Sequence, residues 1–274
     1  MPTIAIGQRI GSGGAELGAL IARQLEARFL GLNDLLCEAA GSYEADPEQL
    51  RVFDTREPHF WDWLTTDTTR LLTYFHAVIL KHLAEDQVVL VSHSTPVWVP
   101  RGVGHVLRVR TVAPIEMRMK RVMEEEGLST RQAEHRIHES DREVQARVRK
   151  MLEVDVEDPQ LYDMVLNTSS APLDTLATVV IDLARAIAKS CSANSRILLN
   201  DACITSQIRA ALMVHPKIGR APIEVTSSGG AVTITGESLI PPWDRLVRDV
   251  AAQVEGVASL KLEAKELPIP LRMG

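Results

Sequence analysis

A short apolar run that ends near a glycine cluster and opens onto an amphipathic helix limits this chain more than any other feature of it. Thr3-Ile4-Ala5-Ile6 lacks polar alternation and reads as a strand buried on both faces, as in a parallel sheet. Gly11-Ser12-Gly13-Gly14 follows, and then Leu17, Leu20, Ile21 and Leu25 recur on one helical face. Strand, glycine turn and helix in that order open a phosphate-binding βα unit. Several backbone N–H groups converge on a phosphate there, and the helix dipole adds favourable charge. A tight βα turn with no ligand uses the same glycines, so the string alone leaves both readings open.

The rest of the chain repeats the alternation. Val88–Val91, Val106–Val112 and Tyr162–Asn167 read as further strands, with helical segments over about 57–85, 114–126 and 129–151 between them. Leu176, Val179, Val180, Leu183 and Ile187 form the apolar stripe of a closing helix. The pattern predicts an α/β fold with a parallel sheet covered by helices on both faces. The rhythm stops near Lys189, and the small polar stretch Ser190–Asn200 reads as a linker. Beyond it Asp201 is placed to cap a helix carrying Ile204, Ile208, Ala211 and Leu212. Ile223-Glu224-Val225 and Val232–Thr235 alternate as strands around the turn Ser228-Gly229-Gly230. A helix from about Pro242 to Val254 and a strand near Leu260–Leu262 complete an α-β-β-α-β unit. The expected division is therefore a domain over 1–189, a linker over 190–200 and a small domain over 201–267.

Composition narrows the partners. Thirty basic residues against 36 acidic ones, net charge −6, leave no polyanion-binding footprint, so nucleic acid is not an expected partner. Cys37, Cys191 and Cys203 have neither zinc-site spacing nor the numbers of a disulfide framework, which suits a reducing compartment. The first residues carry no basic segment followed by a long apolar one, as a signal peptide would, and no apolar run looks long enough to span a bilayer. A soluble cytoplasmic protein is the expectation.

Four further motifs fall in a fixed order. Gly11-Ser12-Gly13-Gly14 runs into Ala15-Glu16-Leu17-Gly18. Val112-Ala113-Pro114-Ile115-Glu116-Met117-Arg118 joins a strand to a helix. Leu128-Ser129-Thr130-Arg131-Gln132-Ala133-Glu134 precedes Asp141-Arg142-Glu143. Asp158-Pro159 leads through Leu161-Tyr162-Asp163 to Leu166-Asn167-Thr168. On these, residues 3–188 resemble the cytidylate kinase-like branch of the P-loop nucleoside monophosphate kinases. The resemblance implies an ATP-type phosphoryl donor, Mg²⁺ and a CMP-like nucleoside monophosphate acceptor. It implies that Gly11, Ser12, Gly13, Gly14 and Ala15 cradle the donor phosphates. It also implies that the lid arginines Arg118, Arg121 and Arg142 close over the transferring group and neutralise it. Arginine suits that task because its contacts to phosphate are charge-assisted and bidentate. The plain alternative, a solvated helix face, is the expectation for Arg131, Arg136, Arg147 and Arg149.

The departures carry as much weight. A Walker loop reads GxxxxGK[ST], with a lysine for the β- and γ-phosphates and a hydroxyl for Mg²⁺. Here Gly14 stands in the lysine position and Ala15 in the hydroxyl position. The resembling branch commonly has glycine and then arginine there, so Ala15 is the residue out of place. Gln8 stands where that branch usually has arginine, Leu32 where it has an acceptor-contacting aspartate, and Ser92-His93 where it has Gly-Arg. A cation on the transferring group is worth roughly 10³–10⁵ in rate. Three classes therefore stay open: an active kinase, a catalytically weak or inactive kinase-fold sensor of nucleotide or another ligand, and an interaction scaffold that binds no nucleotide.

Arg9 is a candidate for the charge missing near the loop, or else a surface residue. His93 follows a strand at its C-terminal end, where α/β ligand sites gather. His135 and His138 are too few for a metal site and read as surface residues. Phe60, Trp61 and Trp63 read as core or subunit packing, which leaves a homo-oligomer open, with base stacking as the other reading. Residues 201–267 resemble a BON domain through Asp201-Ala202-Cys203-Ile204-Thr205, Gly230–Gly236 and Val254-Glu255-Gly256-Val257. That resemblance implies binding of a phospholipid or another small ligand and no chemistry.

Overall fold

In a computed structural model of the protein, residues 1–43, 45, 66–215, 218–219, 221–237 and 239–264 are described. They sort into two compact units. The first comprises Met1–Leu35 and His82–Arg196, the second Leu36–Lys81 and the chain from Ile197 onward.

The first unit is built on a five-stranded parallel sheet of β1 (Thr3–Gln8), β2 (Arg28–Leu30), β3 (Val88–Ser92), β4 (Val106–Val112) and β5 (Met164–Asn167), in the order β2-β3-β1-β4-β5. β1 lies in the middle, with Ile6 level with Val91 on one side and with Val109 on the other. Its four residues Thr3–Ile6 are all buried, which is what the unbroken apolar run requires. One face of the sheet, carrying Ile4, Ile6, Val89, Val91, Leu107 and Val109, packs against Leu17 and Ile21 of α1 (Gly14–Leu25) and against Leu176, Val180 and Ile181. Those last three belong to the closing helix, which runs Leu173–Lys189. The antiparallel-free sheet with its crossover helices is the predicted parallel α/β fold.

The two lid segments form helices Ile115–Glu126 and Thr130–Leu152, close to the expected limits. In chain order the helices are therefore α1, α2 (Leu32–Ser42), α3 (Thr66–Ala84), α4 (Ile115–Glu126), α5 (Thr130–Leu152) and α6 (Leu173–Lys189). α4 and α5 bury a small core of their own around Val122, Ala133 and Ile137. Strand β2 and helix α2 were not foreseen. Only three residues of β2 pair, and its pattern of exposed, half-buried and buried residues gives no run to recognise. Phe60, Trp61 and Trp63, and the start of the helix expected from 57, lie outside the described residues.

The second unit holds α7 (Ala193–Val214), β6 (Ile223–Ser228), β7 (Ala231–Gly236), α8 (Trp243–Ala252) and β8 (Ser259–Ala264), the expected α-β-β-α-β order. β7 is central, antiparallel to β6 and parallel to β8. Ile204, Ile208 and Leu212 of α7 and Val247 and Ala251 of α8 pack on Val225, Val232 and Ile234. The same unit includes the residues of α2 and α3 from Leu36 to Lys81, where the rings of Tyr43 and Tyr74 stack with centroids 4.7 Å apart.

Two expectations need correction here. The polar stretch 190–200 is mostly helical and not an irregular segment: α7 starts at Ala193, and the two units divide at Arg196 and Ile197, inside that helix. The serines that suggested a linker begin the helix instead, since Ser192 Oγ accepts the N–H of Ser195 at 3.1 Å as an N-cap does. α7 is also long and apolar enough, by length and composition, to cross a membrane, against the expectation of no such run. Its apolar face is covered within the second unit, as the face of a core helix is.

Asp201, eight residues into α7, does not cap that helix. Its carboxylate accepts the Ser227 hydroxyl and the N–H groups of Gly229 (2.8 Å) and Gly230 (3.0 Å), closing the β6–β7 turn. Gly229 and Gly230 hold φ of 57° and 81°, the left-handed pair a two-residue hairpin turn needs. Burial works to raise the Asp201 pKa, but those three hydrogen bonds outweigh it and hold the carboxyl below its ordinary value. A depressed carboxyl contributes stability above its unfolded pKa of about 4 and loses it as pH falls through the folded value. Asp201→Ala is therefore expected to lower the melting temperature at pH 7, by the equivalent of about 1–3 kcal/mol, and to lower it much less near pH 3. Thermal melts of both proteins at the two pH values check this; an equal loss at both would refute it.

Candidate functional site

β1 delivers the chain to a tight loop, residues 9–13, at the C-terminal edge of the sheet, and α1 leaves it. Gly11 and Gly13 sit at φ of 69° and 72°, and Gly13 is the N-cap of α1. Only glycine reaches such angles without steric cost. The first N–H groups of α1 have no intrahelical acceptor, so this end of the helix presents donors and the positive end of its dipole.

The loop is held from below by hydroxyls. Ser12 and Thr111 are fully buried with their Oγ atoms 2.9 Å apart, and Thr168 Oγ1 donates to the Ser12 carbonyl at 2.7 Å. Thr111 is the penultimate residue of β4, and Thr168 follows β5. The loop is thereby tied to two strands that the sequence places about 100 and about 155 residues away.

Two of the three lid arginines come to this loop from α4. Arg118, 2% exposed, donates from Nε to the Ile10 carbonyl (2.8 Å) and from Nη1 and Nη2 to the two carboxylate oxygens of Asp141 on α5 (2.8 and 2.7 Å). Arg121 donates from Nη1 to the Gly11 carbonyl (3.1 Å) and to Thr168 Oγ1 (3.2 Å). Its guanidinium lies against Gly13, where a Cβ would come within 2.8 Å of Nη1. The third, Arg142, is exposed on α5 and makes no ion pair among the described residues. Of the loop residues, Ser12, Gly13 and Gly14 are buried while Ala15 is exposed in the first turn of α1.

Gly14 itself has no room for a side chain. A Cβ there would lie 2.7 Å from Gln8 Cβ and 2.7 Å from Thr111 Oγ1. The missing Walker lysine thus reflects how β1 and β4 pack beneath the loop.

Arg9 lies in an ion-pair network beside the loop. It pairs with Glu157 and stands 4.0 Å from Asp141, while Arg110 of β4, 3% exposed, donates to the other oxygen of Glu157 at 2.9 Å and to the His93 carbonyl at 3.1 Å. Burial opposes the Arg9 charge, but Glu157 and then Asp141 outweigh it and raise its pKa. Burial likewise pushes the Tyr162 phenol up to about 12; its hydroxyl donates to the Val156 carbonyl and its ring lies under Arg110. His93 Nδ1 meets the Gln8 carbonyl at 3.2 Å, so it braces β1. Ser92 accepts the N–H groups of Ser94 and Thr95 and shapes the turn after β3. His135 is exposed beside Glu139, His138 is exposed too, and no group of three or more His, Cys, Asp or Glu is placed to hold a metal among the described residues.

Sequence reasoning missed Arg110, Glu157 and Thr111 and assigned Asp141 no role. The one available signal was in β4 itself, where Arg108 and Arg110 interrupt an otherwise apolar buried strand.

A family model described as the cytidylate kinase-like family matches residues 3–170. The chain belongs to the cytidylate kinase-like family. It is 25% identical over 182 residues to a cytidylate kinase of Pyrobaculum calidifontis, a match covering 66% of this chain and 92% of that one. A shorter match, 38% over 63 residues, links 23% of this chain to 33% of the cytidylate kinase of Methanopyrus kandleri. Among solved structures, an uncharacterized protein from Eubacterium ventriosum shares the fold with a TM-score of 0.52 at 18% identity, covering 68% of this chain and 99% of that one. Membership in a cytidylate kinase-like family implies ATP and metal use in general. The matched span holds β1 to β5, the loop and both lid helices, and stops short of α7.

Proposed function

We propose that this chain binds an ATP-type nucleotide at Gly11–Gly14 and acts as a slow nucleoside monophosphate kinase on a CMP-like acceptor. One observation carries the reading: the Arg121 guanidinium lies against Gly13 at the N-terminal turn of α1, which brings a cation and the free N–H donors of a helix to one place. Gly11, Ser12, Gly13, Gly14 and Ala15 would hold the donor phosphates through their backbone. Bound ATP supplies the transferable phosphoryl group. Arg121 balances its charge from above the loop, and exposed Arg142 is the remaining lid cation with freedom to reach it. Gly13, having no Cβ, leaves the space that lets Arg121 do so.

The donors beside the loop do not fit a metal held by the chain. Asp141 and Glu157 are ion-paired with arginines, the Ser12 hydroxyl is bonded to Thr111, and Ala15 offers no oxygen on its side chain.

A second reading is favoured by Gly14 and Ala15: a kinase fold kept for sensing a nucleotide, with turnover lost. Residues 201–267 serve in either case as a BON-like binding module for a phospholipid or another small ligand, supported by their α-β-β-α-β order, and the protein works in the cytoplasm. Calorimetry of the full chain with ATP, with CMP and with both, each with and without Mg²⁺, tests the reading. Heat of binding is expected for ATP, and a tighter CMP site once ATP is present. No binding of any nucleotide would remove both readings and leave a scaffold.

A further inference from the structure

Arg118 and Arg121 lie one helical turn apart on α4 and both touch the phosphate loop, yet their surroundings differ in kind. Arg118 is almost wholly buried, and its donors face a carbonyl of the loop and both oxygens of one carboxylate. A fork-to-fork pair of this sort, with the arginine buried and the carboxylate only partly exposed, is among the stronger polar contacts a protein makes. The backbone of Arg118 also closes on the loop: a Cβ at Gly11 would lie 2.6 Å from its carbonyl oxygen. A phosphate could claim this guanidinium only by displacing Asp141 from a bidentate pair. Arg121, by contrast, is half-buried and, among the described residues, gives hydrogen bonds only to uncharged oxygens, those of Gly11 and Thr168.

Resting on the nucleotide site proposed above, we infer that Arg118 is a positioning residue. With Asp141 it forms a strut that fixes α5, α4 and the Ile10–Gly11 backbone as one piece, and direct contact with phosphate falls to Arg121. Asp141 also faces Arg9, whose own partner Glu157 holds Arg110, so the strut continues into β4.

The two roles give opposite signs for one substitution. If Arg118 were a phosphate ligand, Asp141→Asn would release its guanidinium and remove a competing negative charge, and ATP would bind more tightly. If it is a strut, the same change loosens the loop, and ATP binds more weakly. The experiment uses the full chain and two readouts: ATP titration by calorimetry, and amide hydrogen exchange without nucleotide. Asp141→Asn is expected to speed exchange at Gly11–Gly14 by about tenfold or more and to weaken ATP binding by about the same factor. The amides of Val89–Val91, in the sheet centre, keep their wild-type rate. Arg118→Lys, which keeps the charge and loses the fork, is expected to do the same, while Arg121→Gln, which loses a single hydrogen bond to a loop carbonyl and no ion pair, weakens ATP binding with a smaller rise in loop exchange. If Asp141→Asn does not fold, Arg118→Lys decides alone. Tighter ATP binding, or loop exchange unchanged in the variant that folds, overturns the inference. Should the wild-type chain bind no ATP, the nucleotide reading fails, and loop exchange still decides the strut.

Discussion

The purified chain, given ATP and CMP, dCMP, UMP or AMP, is expected to turn over at least about 10³-fold more slowly than the roughly 1–100 s⁻¹ usual for kinases. Phosphoryl transfer is catalysed almost wholly by position and by positive charge around the transferring group. At the loop the chain offers Arg121, one guanidinium already sharing its Nη1 between two oxygens, and no lysine or arginine at 14 or 15. Arg118 and Arg9 are nearby but spent on Asp141 and Glu157. Two repairs separate the causes. Ala15→Arg places a cation at an exposed position in the first turn of α1, where nothing obstructs it, and is expected to raise kcat by about 10- to 100-fold. Gly14→Lys, which restores the Walker sequence on paper, is expected to lower the melting temperature and add no activity, because its Cβ meets Gln8 and Thr111 at 2.7 Å. A coupled assay with all three proteins checks this. An ordinary kcat for the wild type would refute the prediction, and a Gly14→Lys protein both stable and faster would refute its physical basis.

The largest stability effect is expected at Gly11. Gly11→Ala demands a left-handed backbone of an L residue, which costs about 1–2 kcal/mol. It also presses a methyl group to 2.6 Å from the Arg118 carbonyl oxygen and 3.0 Å from its Cα. Those are backbone atoms of a helix pinned by the Asp141 pair, so relief means moving α4, at about 1–3 kcal/mol more. The sum, about 2–5 kcal/mol, is a large part of an ordinary domain's stability, and a fall in Tm of roughly 5–15 °C follows. Gly41→Ala is the control. Gly41 lies in α2 with open space around its Cβ position, so alanine there is expected to be neutral or to stabilise by up to about 1 kcal/mol. Differential scanning calorimetry distinguishes them, and a Gly11→Ala protein melting with the wild type would show that loop and lid yield more easily than their contacts suggest.

What the sequence made legible follows from what burial imprints on it. β1, β3 and β4 are covered on both faces, so β1 and β3 carry unbroken apolar runs and β4 one broken only by Arg108, Arg110 and Thr111, and the limits predicted for β4 are those observed. α4 and α5 lie within a residue of their expected limits, and α6, Leu173–Lys189, contains the apolar stripe Leu176–Ile187 by which it is recognised. β2 has three residues and no stripe. The start of α7 was misread because serine and asparagine favour loops and helix caps alike, and only Ser192 bonding Ser195 tells which applies. At the site, glycines are conspicuous because their φ angles are written in their identity, and the family motif drew attention to Arg118 and Arg121. Which arginine is paired was not legible. Asp141 is 23 residues from Arg118 and Glu157 is 148 from Arg9, and nothing local marks either contact. Gly14 and Asp201 teach the same lesson: a residue type names its options, and neighbours distant along the chain choose among them.

The central place of β1 sets the order in which a working site can appear during synthesis. The strand emerges first, yet its two neighbours are residues 88–92 and 106–112, and the loop that follows it waits for Thr168 to bind the Ser12 carbonyl. A nascent chain shorter than about 170 residues therefore carries the glycines without the Thr168 contact that holds them, and until residues 88–112 have emerged both edges of β1 stay open to pairing. Contacts this far apart in sequence close slowly, because the loop-closure entropy must be met before they contribute. The proposed nucleotide site is encoded at the beginning of the chain and completed near the end of its first unit, so on that proposal nucleotide stabilises the folded first unit but cannot guide its earliest steps.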